Sequence, residues 1–192
     1  MLLNEILLRL PAQPLSVVLR CLKTMPNSLS HLWVQVQIRL IYSYVMEGDI
    51  NAAKTMLSLV VFAKVFPRNM RAEYCAYVSG IFYAEGNFQQ ALKFAITAFI
   101  AANGTIRSFR NSRKQFYSGE EGEVSRRTYI EVLRYLSRCL AVTRNFSKAL
   151  VFSRLCLYHA AQFKHKFAEA LLTHAYCLMQ DDRNHVANLV IL

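Results

Sequence analysis

From Arg71 to Gly104 the apolar positions recur at steps of three and four residues, on either side of Glu85-Gly86-Asn87. That spacing predicts two amphipathic helices joined by a tight turn. The first places Tyr74, Val78, Phe82 and Tyr83 on one stripe, with small Ser79 and Gly80 where a neighbouring helix comes close. Gly86 supplies the backbone freedom that ends this helix, and the oxygen of Asn87 can accept from free amides to begin the next. The second carries Phe88, Ala91, Phe94, Ala95 and Ala98, a small-residue face suited to close helix packing.

The same scheme recurs along the chain. Ala53, Ala91, Ala149 and Ala187 are separated by 38, 58 and 38 residues, and 58 is 38 with an insertion of 20. An earlier unit contains Tyr44, Gly48-Asp49-Ile50, Ala53, Leu57 and Val60 and closes near Pro67. A later one contains Leu136, Ser137, Leu140, Arg144-Asn145-Phe146, Ala149 and Cys156, with arginine in place of the turn glycine. A fourth begins near Phe167, continues through Leu171, Ala175 and Leu178, turns at Asp181-Asp182 and reaches Ala187. Asp49, Asn87 and Asn145 occupy one equivalent point and are expected to cap the second helix of their units. A fixed period of this size predicts units that bury their apolar faces against their neighbours.

With its small residue in the first helix, an aromatic one turn later, Gly-Asn-Phe at the turn and spaced alanines, the 71–104 unit resembles a tetratricopeptide repeat, without that family's tryptophan. The resemblance extends over about four-fifths of the chain, at a period longer than the family's usual 34 residues. It implies an all-α, tetratricopeptide-like α-solenoid of antiparallel helix hairpins stacked into a right-handed superhelix. The expected organisation is one domain over 1–192, with capping helices at 1–30, repeats at 33–67, 71–104, 128–162 and 167–192, and a basic loop inserted at 105–127. A capping box formed by Thr128 and Glu131 predicts that the helix after the loop starts near Tyr129.

The resemblance further implies that the first helices of successive units line a concave surface that receives a peptide or helix of another protein. By alignment the groove residues are Gln35, Ile38, Tyr42, Glu73, Tyr83, Arg134, Arg138, Tyr176 and Gln180. Arg134 and Arg138, one turn apart, repel each other and would gain from an anionic ligand. The competing reading has the tyrosines filling gaps between units and the arginines solvated. The inserted loop carries Arg107, Arg110, Arg113 and Lys114, with Arg126 and Arg127 just before the next helix. It reads either as a solvated excursion, balanced by Glu120, Glu121 and Glu123, or as a basic finger interleaved with Phe109, Phe116 and Tyr117.

An apolar content of 54% is ample for a packed interior and leaves room for surface covered by another chain. The formal charge of +11 and pI of about 9.7 favour acidic proteins, nucleic acid or anionic lipid without choosing among them. No uncharged stretch is long and apolar enough to span a bilayer. No secretory signal is expected, and a cytoplasmic location is; the acid-poor first 23 residues leave a mitochondrial presequence as the alternative. Cys21, Cys75, Cys139, Cys156 and Cys177 form no CxxC pair and read as buried apolar side chains in a reducing compartment. His174 falls on a packing position and is expected to be a hydrogen-bonded interior histidine. No phosphate cradle, HExxH, nucleophile elbow or zinc pattern is present, so neither an enzyme, a cofactor nor a metal site is expected. The leading expectation is a protein-binding adaptor or chaperone, in a secretion or regulatory assembly such as those of bacteria, with an acidic partner. A nucleic-acid-associated repeat protein and the sensor arm of a transcription regulator are the alternatives. The apolar end Val186 to Leu192 either packs back on the preceding unit or mediates self-association.

Overall fold

The computed structural model describes residue 17 and residues 30–59, 68–111 and 120–181. Among these the chain is all-helical, with seven helices and no strand: α1 (Ser30–Glu47), α2 (Ile50–Leu59), α3 (Arg68–Ala84), α4 (Phe88–Asn111), α5 (Glu120–Val142), α6 (Phe146–Ala160) and α7 (Lys164–Gln180). The expected capping helices at 1–30 and the terminal segment with Ala187 lie outside the described residues, apart from Val17 and Ser30.

Three of the connections are built alike, as the repeated turn predicts. Gly48 and Gly86 adopt φ of 80° and 76°, and Arg144 adopts 62°. In each, the amide of the following residue bonds back to a carbonyl five positions earlier: Asp49 to Tyr44 at 2.9 Å, Asn87 to Phe82 at 2.9 Å and Asn145 to Leu140 at 2.8 Å. This left-handed closure satisfies carbonyls that the helix end would otherwise leave free. Capping of the next helix follows at two of the three. Asp49 Oδ1 accepts from the Ala52 amide at 2.9 Å, and Asn87 Oδ1 accepts from Gln90 at 3.3 Å. Asn145 departs from the expectation: it makes no side-chain cap, and its Nδ2 donates instead to the Thr143 carbonyl at 3.1 Å.

Packing follows small residues. Ala53, Ala91 and Ala149 are fully buried, as are Ala95 and Ala98 on the inner face of α4. Each helix contacts the next in sequence, and α1, α3, α5 and α7 also touch in succession. Gly80 sits where α5 crosses α3, and a Cβ there would lie 2.8 Å from Tyr135 Cε1. Close by, Ser79 Oγ donates to the Ala91 carbonyl at 2.8 Å, tying α3 to α4. Cys75, Cys139, Cys156 and Cys177 are buried free thiols. Burial pushes Cys75 and Cys177 up to about 11 and Cys156 up to about 12, so at neutral pH they are inert apolar groups. His174 is interior, with Nδ1 2.8 Å from Ser153 Oγ.

The stretch expected as a basic loop at 105–127 is helical over 105–111 and 120–127, and only 112–119 lies outside the described residues. The α5 helix accordingly begins at Glu120 rather than near Tyr129. Thr128 and Glu131 are buried within it, Glu131 turned to cations instead of closing a capping box. The physical reason is tertiary. The α4 and α5 helices pack against each other immediately next to this stretch, with Phe99 stacked near Tyr129 (centroids 6.2 Å apart) and the Tyr129 hydroxyl donating to Asn103 Oδ1 at 3.4 Å.

Candidate functional site

The odd-numbered helices bring two side-chain clusters together on the face they share. The first is ionic. Arg39 of α1 meets Glu73 of α3 at 2.7 Å, and the Tyr77 hydroxyl donates to the same carboxylate at 3.0 Å. On the other side, Arg134 of α5 pairs with Glu131 at 2.7 Å and with Glu169 of α7 at 3.0 Å, while Lys166 of α7 meets both carboxylates. Tyr42 joins the two halves: its ring lies 4.9 Å from that of Tyr77, and the Lys166 ammonium stands 6.0 Å from its centroid.

These charges are almost wholly out of water. Arg39, Glu73, Glu131, Arg134 and Lys166 are each less than 9% exposed. Burial alone would raise the Glu131 carboxyl, but Arg134 and Lys166 outweigh it and hold it below the usual carboxylate range. Burial likewise opposes the charged forms of Arg134 and Lys166, and their carboxylate partners more than restore them. Three cations and three carboxylates thus neutralise one another within the fold.

The second cluster lies nearer the C-terminal ends of the same helices. The Arg138 guanidinium of α5 stands 4.7 Å from the Tyr83 ring of α3 and 5.9 Å from the Tyr176 ring of α7. The two tyrosine hydroxyls are 3.0 Å apart. Burial, together with the Tyr83 hydroxyl, raises the Tyr176 phenol well above its ordinary value, so that ring stays neutral, and both tyrosines present electron-rich faces to the cation. All three side chains are half-buried, and no carboxylate pairs with Arg138 among the described residues.

Of the residues expected to line a groove, Tyr83, Arg138 and Tyr176 converge. Tyr42 is half-buried on the ionic cluster, Gln35 is half-buried, and Gln180 is exposed near the end of α7. Ile38 is core, and Glu73 and Arg134 are buried in ion pairs. Arg134 therefore does not repel Arg138 unopposed; Glu131 and Glu169 compensate its charge. Of the basic segment, Arg107 and Arg110 lie on α4, Arg126 and Arg127 on α5, and Arg113 and Lys114 outside the described residues. Arg126 donates to Gln162, and the Arg127 guanidinium lies 5.5 Å from the Phe163 ring, so both lean toward the body of the protein.

Sequence reading missed Arg39, Glu131, Lys166 and Glu169 as a cluster, although a signal existed. Gln35, Glu73, Glu131 and Glu169 follow the same 38, 58, 38 spacing as the alanines, as do Tyr42, Gly80, Arg138 and Tyr176. The period fixes which positions face inward, but not which partner each charge selects.

Among the described residues no three His, Cys, Asp or Glu side chains converge as a metal-holding group, and no helix is long and apolar enough to cross a membrane. Comparison of the chain with protein-family models, with curated proteins and with solved structures gives no match.

Proposed function

We propose that the chain is a non-enzymatic protein-protein interaction module of tetratricopeptide-like design, an adaptor or chaperone that binds a peptide or helix of an acidic partner. In this reading the hairpins α1-α2, α3-α4 and α5-α6, followed by α7, stack as a right-handed solenoid. The succession of contacts among odd-numbered helices and the recurring turn support that stacking.

One observation carries the binding role: Arg138 is held between two tyrosine rings with no carboxylate paired to it among the described residues, while Arg39, Arg134 and Lys166 are paired. An arginine positioned by ring contacts keeps its planar fork of N–H donors for a carboxylate, and little side-chain freedom remains to be lost on binding. Tyrosine and arginine are also the side chains that most often dominate interface energies.

The test uses the full chain and three amphipathic helical peptides that share an apolar face and carry glutamate, glutamine or lysine at the remaining positions. The glutamate peptide should bind best, and Arg138→Ala should weaken it by about tenfold or more. Equal binding across the series, or an unaltered affinity in Arg138→Ala, refutes the proposal. A steep loss of binding to arbitrary DNA or RNA with added salt would favour the nucleic-acid reading instead.

A further inference from the structure

The even-numbered helices share a property that the site above does not use. Across α2, α4 and α6 there is no Asp or Glu, whereas Lys54, Lys93, Arg107, Arg110, Lys148 and Arg154 are basic. Lys54 is matched by Glu85 at the neighbouring turn. On α4, Lys93, Ile96 and Ile100 stand on one exposed ridge, and on α6, Lys148, Val151, Arg154 and Tyr158 form another. Ile100 is 66% exposed, Val151 61% and Tyr158 75%, unusually open for side chains of this size. Phe99 and Phe152 pack edge to face at 5.1 Å between these helices, so the ridges belong to adjacent elements.

The repeat spacing makes the arrangement regular. At an interval of 58 residues, Lys93 corresponds to Val151, Ile96 to Arg154 and Ile100 to Tyr158. A cation on one helix therefore answers an apolar residue on the other at two of the three positions. Each ridge presents both kinds of side chain.

We infer that the α4-α6 face is a docking surface for an anionic lipid membrane, on which the protein lies without spanning it. Three features select this occupant. The uniform positive charge complements an anionic surface and would repel a second copy of the same face. The exposed groups between the cations are mainly aliphatic; they enter the apolar side of a lipid interface and gain little from nucleic-acid bases, which stack on aromatic rings. The side chains project from ridges rather than line a groove, and a soft, laterally mobile interface can close around projections that a rigid partner would need a matching pocket to accept. The inference is independent of the Arg138 site, which lies on the odd-numbered helices.

Co-sedimentation of the full chain with vesicles of phosphatidylcholine and phosphatidylserine at 3:1, against pure phosphatidylcholine, provides the test. Binding is expected to the anionic vesicles and to weaken with salt. Lys148→Gln with Arg154→Gln should reduce partitioning by roughly 30-fold, from about fivefold per surface cation. Ile100→Ser with Tyr158→Ser should reduce it by about tenfold or more while leaving the salt dependence in place. Arg71→Gln with Lys164→Gln, an equal charge change at exposed positions of the odd-numbered helices, should change it by less than threefold. Because all these positions are solvent-facing, circular dichroism should confirm that each variant keeps its helices. Equal binding to both vesicle types, indifference to the α4 and α6 substitutions, or equal sensitivity to the control pair overturns the inference. So does tighter binding to a DNA or RNA duplex than to anionic vesicles.

Discussion

The three repeated turns make a controlled experiment on backbone conformation. Gly86 adopts φ of 76°, and a Cβ placed there would meet nothing within 4 Å. Gly86→Ala therefore adds no steric contact and exposes only the intrinsic penalty of the left-handed region, roughly 1–2 kcal/mol for a residue with a Cβ. The reduced freedom of the unfolded chain returns about 0.4–1 kcal/mol, leaving a net loss near 1 kcal/mol. Arg144 is the reverse case, since it already adopts φ of 62° and its side chain is exposed. Arg144→Gly removes the backbone penalty but also removes a cation beside the C-terminus of α5, which is worth about 0.3–1 kcal/mol. Arg144→Ala isolates that second effect, losing the charge while keeping the strain. We expect Arg144→Gly to exceed Arg144→Ala by about 1 kcal/mol in urea unfolding and to melt about 2–4 °C higher, and Gly86→Ala to fall below the unaltered protein by a similar margin. If Arg144→Gly and Arg144→Ala are equally stable, or Gly86→Ala is neutral, the repeated turn is not the strained feature described above.

Three further outcomes follow from the packing. Gly80→Ala should destabilise by about 1–3 kcal/mol despite alanine's better helix propensity, because its Cβ would lie 2.8 Å from the buried Tyr135 ring; adding Tyr135→Leu should recover part of the loss in urea titrations. Glu73→Gln should cost roughly 3–5 kcal/mol by stranding Arg39, whereas Arg39→Met, Glu73→Leu and Tyr77→Phe together should unfold close to the unaltered protein, since all three interacting polar groups are then removed. The depressed Glu131 carboxyl contributes stability that is fully present above the unfolded carboxyl value, about 4.3, and is lost as pH falls through its lower folded value. Stability measured against pH should therefore decline more gently in that acid window in Glu131→Gln than in the unaltered protein, from a lower starting point.

The sequence by itself determined the local structure. Helical periodicity, the left-handed turn positions and the alanines at fixed spacing depend on steric and hydrogen-bonding rules that act within a few residues, and Ala53, Ala91 and Ala149 are buried accordingly. The repeat also marked Arg138 and Tyr176, because equivalent positions on like helices face the same way; Tyr83 stands three residues beyond the equivalent Gly80 and reaches the pair through packing. Tertiary structure decided the rest. Asn145 bonds Thr143 instead of capping α6, although its sequence neighbourhood matches that of Asn87. The polar, charged stretch after Asn103 reads as loop, yet α4 and α5, which pack together at Asn103 and Tyr129, continue beyond that contact and carry part of it as helix. Glu73 and Arg134 occupy positions that could equally face solvent or a partner; they are buried because Arg39, Lys166 and Glu169, distant in sequence, arrive beside them and beside Glu131, one turn before Arg134 on the same helix. A charge is fixed less by its own position than by which opposite charge the packing brings within reach, and no local pattern encodes that.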